Sequence, residues 1–162
     1  MGISVASIKD ILSNLGDASG DITTSLTGKL GNMYQSIAVG KASFFEKVIT
    51  SAANVGDVVV ATVTDNPCQV ESVIIHANAA QTADMTSCGV FGGVGKVITF
   101  ISAADAVQAN LDAADKQVAW TGAARLAATK TIVISLVGTG ATAVDLTIVI
   151  KYRPTIAGGY LA

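Results

Sequence analysis

The sequence predicts an all-β protein: an antiparallel β-sandwich of jelly-roll-like form, preceded by a partly helical N-terminal arm. Three observations carry this expectation. The stretch Thr131–Arg153, TIVISLVGTGATAVDLTIVIKYR, alternates apolar and polar residues on both sides of a glycine-rich break. About eight short runs of this kind follow one another with turn signals between them. Helical patterns do not alternate with the strands, which disfavours a parallel α/β sheet.

The Thr131–Arg153 stretch organises the rest. Ile132, Ile134 and Leu136 point to one side, and Gly138, Thr139 and Gly140 break the run. Leu146, Ile148, Ile150 and Tyr152 then resume it, with Thr147, Val149 and Lys151 on the opposite face. The pattern predicts two strands joined as an antiparallel hairpin.

The arm spans residues 1–43. Ser4–Leu15 reads as a short amphipathic helix with Val5, Ile8, Leu12 and Leu15 on one stripe, Ser4 as N-cap and Gly16 as the stop. A helix this short is marginal alone and needs a surface to lie on. That surface is either its own domain or a neighbouring subunit. Ile22, Leu26, Leu30 and Met33 form a second stripe, weakened by Gly28 and Gly31, so extended structure is the alternative there. Both stripes are candidate interfaces between subunits.

The sandwich domain spans 44–153. Its expected strands are Phe44–Ser51, Asp57–Thr64, Cys68–Ala77, Thr86–Phe91, Val97–Ser102, Lys130–Val137 and Val144–Tyr152, with a short piece at Gln117–Trp120 and another around Arg125–Ala127. Asp65-Asn66-Pro67 is a turn signal. Ala103–Lys116 reads as a loop with one short helical turn. Pro154 ends the last ladder because it cannot donate to it. Residues 154–162 form a short tail ending in an aromatic residue and a leucine able to dock.

Length and composition narrow the function. The 162 residues suit one domain with appendages and suffice for a core without disulfide staples. Only 14% of residues are charged, against 51% hydrophobic, so part of the surface is expected to be covered by other subunits. The net charge of -2 shows no basic patch, so nucleic acid is not an expected partner. No apolar run is long enough to span a membrane, and the N-terminus has neither a secretory nor a myristoylation pattern.

Catalytic chemistry is not assembled. Gly89–Lys96, GVFGGVGK, resembles a phosphate loop but has Val90 where the first glycine belongs and Val97 where a hydroxyl belongs. It reads instead as a glycine-rich turn or bulge. His76, the only histidine, shares a strand phase with Val70, Ser72 and Ile74 and reads as a packed or interface residue. Cys68 and Cys88 match no metal spacing and read as buried free thiols, with a disulfide as the alternative if they fall on adjacent strands with close Cβ atoms. Asp105, Asp112 and Asp115 are either solvated or a calcium or sugar site. Trp120 is either a core residue between the sheets or a platform for a sugar ring. No enzyme, cofactor or metal is expected.

The segments PCQVESVIIHANAAQTADMTS, FGGVGKVITFISAADAVQANLDAADKQVAW and RLAATKTIVISLVGTGATAVDLTIVIKYR resemble small β-sandwich structural proteins of tailed bacteriophages, the decoration or cement proteins of the capsid. The resemblance covers about residues 43–153 and lies in strand length, the Gly-Thr-Gly break and Ala/Thr/Val/Gly richness. It implies a virion protein made in the host cytoplasm and placed on the capsid surface. It further implies a homo-oligomer, a trimer, that binds the major capsid protein or other virion subunits. The alternatives are another virion component (tail, adaptor, vertex or shell subunit) and a carbohydrate-binding module using Trp120.

Overall fold

The computed structural model describes residues 41–50, 56–82, 84–139 and 144–162, which belong to the compact unit Val39–Ala162. The expected arm, apart from residues 41–43, lies outside the described residues, and with it the candidate interface residues Val5, Ile8, Leu12, Leu15, Ile22, Leu26, Leu30 and Met33. Among the described residues the protein is all-β. Its strands are β1 (Ser43–Thr50), β2 (Gly56–Thr64), β3 (Cys68–Ala77), β4 (Met85–Gly92), β5 (Ile98–Ile101), β6 (Gln117–Leu126), β7 (Thr131–Gly138), β8 (Asp145–Pro154) and β9 (Tyr160–Leu161). Single 3-10 turns sit at Val94–Lys96 and Gln108–Asn110, the second inside the expected loop.

Two antiparallel sheets result, one in the order β1-β8-β3-β6 and the other in the order β5-β4-β7-β2-β9. The pairing is nested. β1 lies beside β8, β2 beside β7, β3 beside β6 and β4 beside β5. The chain thus runs out through four strands and returns through four, each beside its counterpart. β3–β8 and β4–β7 then join these pairs into sheets.

Each strand contributes one face to a shared core. Ile132 and Ile134 of β7 and Ile148 and Ile150 of β8 are fully buried, as are Val70, Val73 and Ile75 of β3. Period-2 alternation is what a strand with one wet face needs, and these residues follow it. The expected hairpin between the last two long strands does not form. β7 belongs to one sheet and β8 to the other. Alternation reports that each strand is half-buried; it does not say which strand lies beside it.

Two further expectations change. The pieces at Gln117–Trp120 and Arg125–Ala127 are one strand, β6, with extra residues at Gly122-Ala123. Those residues lie opposite Glu71, itself an inserted residue of β3 relative to β8. The irregularity widens strand by strand across the sheet, as bulges do when they bend an edge. Gly122 is required there: a Cβ would stand 2.5 Å from the Trp120 indole. The bulge also changes which way β3 faces. Val70 points into the core, but Ser72, Ile74 and His76 lie on the outer side, so His76 does not share a face with Val70.

The tail is part of the sandwich. Val63 pairs with Leu161 and Thr64 with Tyr160, and Thr62 and Ala162 exchange backbone hydrogen bonds of 2.7 and 2.9 Å. Asn66 holds the approach, its Nδ2 donating to the Ala157 carbonyl at 2.7 Å. Gly159 passes so close to the Asn66 carbonyl that a Cβ would stand 2.6 Å from it. Leu161 is 5% exposed and Tyr160 43% exposed. Leu161→Ala is therefore expected to cost about 2–3 kcal/mol in urea unfolding, and Tyr160→Ala less than about 1 kcal/mol. Equal, negligible effects of the two would show a tail that does not dock.

Candidate functional site

The surfaces available for contact are the sheet edges, the outer faces and the two ends of the sandwich. The edges are poor places for another strand. β1 carries Lys47 between Phe45 and Ile49, on the core-facing side of the strand yet exposed. A charge pointing inward at an edge opposes strand addition, and so does the Gly122-Ala123 bulge on β6. β5 and β9, at the edges of the other sheet, are only four and two residues long. The faces and ends remain as the surfaces open to contact.

On the outer face of the five-stranded sheet, Thr99, Phe91, Val133 and Val59 stand in one cross-strand row. Val59 is 52% exposed, and Val94 and Val97 in the neighbouring turn are 69% and 77% exposed. Lys96 lies over this row. Its Nζ is 2.6 Å from Asp57 Oδ1 and 3.1 Å from Ser135 Oγ, and 5.4 Å from the centre of the Phe91 ring. The Gly89–Lys96 segment is the end of β4 and the turn into β5, as the turn reading expects. The turn holds Lys96 at φ 59°, a conformation uncommon for lysine. The hydrogen bonds to Lys96 and Ser135 hold the Asp57 carboxyl below its ordinary pKa.

One end of the sandwich is built from the long connections. Gln81, 2% exposed, copies a ladder residue with its side chain. Its Oε1 accepts from the Asp145 N–H at 3.3 Å, and its Nε2 donates to the Asp145 carbonyl at 3.1 Å. Gln108 Nε2 donates to the Gln81 carbonyl at 2.6 Å, drawing in the loop after β5. Beside it, Asn78 donates to Asp145 Oδ1 and accepts from Thr147 Oγ1, at 2.8 and 3.0 Å. His76 touches Asn78 Oδ1 through Nδ1 and Asp115 Oδ1 through Nε2, at 3.1 and 3.3 Å.

The three loop aspartates have separate partners. Asp105 accepts from Ser102 Oγ at 2.6 Å, Asp112 pairs with Lys116, and Asp115 meets His76. Among the described residues no three His, Cys, Asp or Glu side chains come together as metal ligands. Trp120 is half-buried, packs against the core and meets Phe100 edge to face at 4.9 Å between ring centres. Cys68 and Cys88 lie in different sheets, free and fully buried. Burial raises both thiols, Cys88 to about 12, which keeps them protonated at neutral pH.

The sequence reading did not single out the Lys96–Asp57–Ser135 contact, the Gln81 hub or the exposed Val59, Val94 and Val97. These depend on strands far apart in sequence. The lysine after the Gly-Gly turn was the one local signal for the first.

No family model matches the chain, and no curated protein sequence matches it. Solved structures do. A chain of the acid-stable capsid of Helicobacter pylori bacteriophage KHP30 superposes with a TM-score of 0.50 at 12% identity, over 76% of this chain and 94% of that one. The fold is shared with a phage capsid chain. A chain of the cyanophage Pam1 capsid asymmetric unit superposes with a TM-score of 0.45 at 16% identity, over 70% and 84% of the two chains. A chain of the Bacillus endospore appendages that form disulfide-linked pili gives a TM-score of 0.33 at 8% identity, over 70% and 88%.

The Asp57 contact has a defined pH signature. A carboxyl whose pKa falls on folding adds stability above its unfolded value, here 3.8, and loses that contribution as pH falls through the lower folded value. Both partners are partly exposed, so the contribution is within the ~0.2–1 kcal/mol of exposed ion pairs. Asp57→Asn is expected to lower stability by that amount at pH 7, and the gap to wild type should close below about pH 4. Urea titrations of both proteins across this range check it; a constant gap would rule out the charge as its source.

Proposed function

We propose that this protein is a structural subunit of a phage virion, specifically a capsid decoration or cement protein, and that its sandwich is a jelly roll. The nested pairing of first strand with eighth, second with seventh, third with sixth and fourth with fifth supports the jelly-roll reading. That arrangement, together with the fold held in common with the KHP30 capsid chain over nearly the whole of that chain, is the observation that carries the proposal. Guarded edges and apolar side chains left on an outer face fit a protein whose work is adhesion. Apolar surface buried between subunits contributes about 25 cal/mol per Å². Repeated over a lattice, weak contacts of this kind add up to a stiffened shell.

In this reading the chain acts as a homo-oligomer, a trimer, on the capsid surface, with the major capsid protein or other virion subunits as partner. It is made in the host cytoplasm and takes part in no catalysis. The lone histidine, the loop aspartates and both thiols each have a structural engagement, which agrees with that.

Quantitative mass spectrometry and imaging of purified particles test the proposal. The chain should be present at a copy number matching lattice positions. Particles without it should lose their genome at a lower temperature, and deletion of residues 1–43 should release it from the shell. Its absence from purified particles would overturn the virion role. Shells indifferent to its removal would overturn the cement role.

A further inference from the structure

The charges of the sandwich are sorted by end. The long connections gather at one end, where backbone hydrogen bonds tie them together. Asp115 N–H donates to the Ala77 carbonyl, Asn78 to Asp145, Gln81 to Leu111 and Thr139 to Asp84. Among the described residues this end holds five aspartates, Asp84, Asp105, Asp112, Asp115 and Asp145, against one lysine, Lys116. The short turns gather at the other end. There Val63 N–H donates to the Lys130 carbonyl, Thr129 to Val63 and Thr155 to Pro67. This second end holds five basic residues. Arg125 and Arg153 both lie level with Gln69, Lys151 is one turn of the pleat away, Lys130 is in the β6–β7 turn, and Lys41 precedes β1. Among the described residues Asp65 and Glu71 stand against them, and Glu71 already serves both Lys151 and Arg153. Between the ends the charges cancel: Lys96 pairs with Asp57, and Glu46 is followed by Lys47.

The result is a body with an acidic end, a neutral waist and a basic end, although its net charge is close to zero. Two like ends repel each other. One acidic end and one basic end attract, and the exposed aspartates keep charge available: Asp115 is 90% and Asp112 47% exposed. We propose that copies of this chain associate head to tail, the acidic long-loop end of one facing the basic short-turn end of the next. The charge pattern selects a second copy because each molecule carries both halves of the contact. Such a contact is heterologous, so it closes into rings or grows as a row, and it does not make isolated two-fold dimers. The guarded edges remove the competing strand-to-strand route. The inference goes beyond the virion role and does not rest on it.

Sedimentation of the full chain over a range of salt tests it. Between ~0.02 M and ~0.5 M salt the screening length falls from about 20 Å to about 4 Å. Self-association should weaken at least tenfold over that range. Two charge-reversed variants, Asp84→Lys with Asp112→Lys and Arg125→Glu with Lys130→Glu, should each lose self-association at low salt. Mixing them at low salt should restore it as a one-to-one contact, since the first variant's intact basic end finds no acidic partner on its own altered, neutralised end but meets the second's intact acidic end. Circular dichroism checks that both remain folded, and the wild-type salt series decides alone if either does not. Association that is indifferent to salt, or that survives in both variants unmixed, would overturn the head-to-tail contact. A chain that stays single at low salt would do the same. Neither result touches the capsid tests above.

Discussion

Everything in this sandwich follows from one packing constraint: β7 and β8, consecutive in sequence, press their apolar sides into the same core from opposite layers. Ile132, Ile134 and Leu136 enter from one sheet, and Leu146, Ile148 and Ile150 from the other. Once these strands face rather than flank each other, each becomes an inner strand with neighbours on both sides. β7 takes β2 and β4, and β8 takes β1 and β3. The nested pairing is the consequence. Connections at one end must then be long enough to pass between layers, and those at the other are mostly short turns.

That division of the connections shapes the surface. The long connections need internal support, which Gln81, Asn78 and Gln108 supply by hydrogen bonding to backbone and to Asp145. Aspartates tolerate such loops because their side chains satisfy nearby donors, as Asp105 does with Ser102. The short turns instead receive the basic ends of β6 and β8. Fold and electrostatic polarity therefore have a common origin in topology. A molecule so divided, with its strand edges blocked, leaves its faces and ends as the surfaces open to contact.

How much was legible varies by element. β2, β3, β7 and β8 were placed to within two residues because their β-branched alternation is long and undiluted. β6 was seen only at its ends, because Thr121-Gly122-Ala123-Ala124 carries no apolar side chain large enough to mark a face. Its continuity is maintained by backbone pairing with β3 and by the Trp120 indole covering Gly122. The position of His76 was misread because an inserted residue, Glu71, shifts the phase of β3. Such an insertion is defined only by the register of the neighbours. For the candidate site, the turn at Gly89–Lys96 and the buried character of the thiols were readable, since both depend on local chemistry. The reach of Lys96 to Asp57 was not, since those residues are 39 positions apart and meet only across three strands.

By itself, then, the sequence determined most of the strand content and the half-buried character of each long strand. These are properties of residue type and of a two-residue period, which act within a few positions along the chain. Tertiary structure alone decided that the last two long strands belong to different layers, that the tail completes a sheet and that acidic and basic groups part to opposite ends. Strand partners are chosen by the packing of a shared core, and hydrogen-bonding backbones are alike in every strand, so no stretch read in isolation contains that choice.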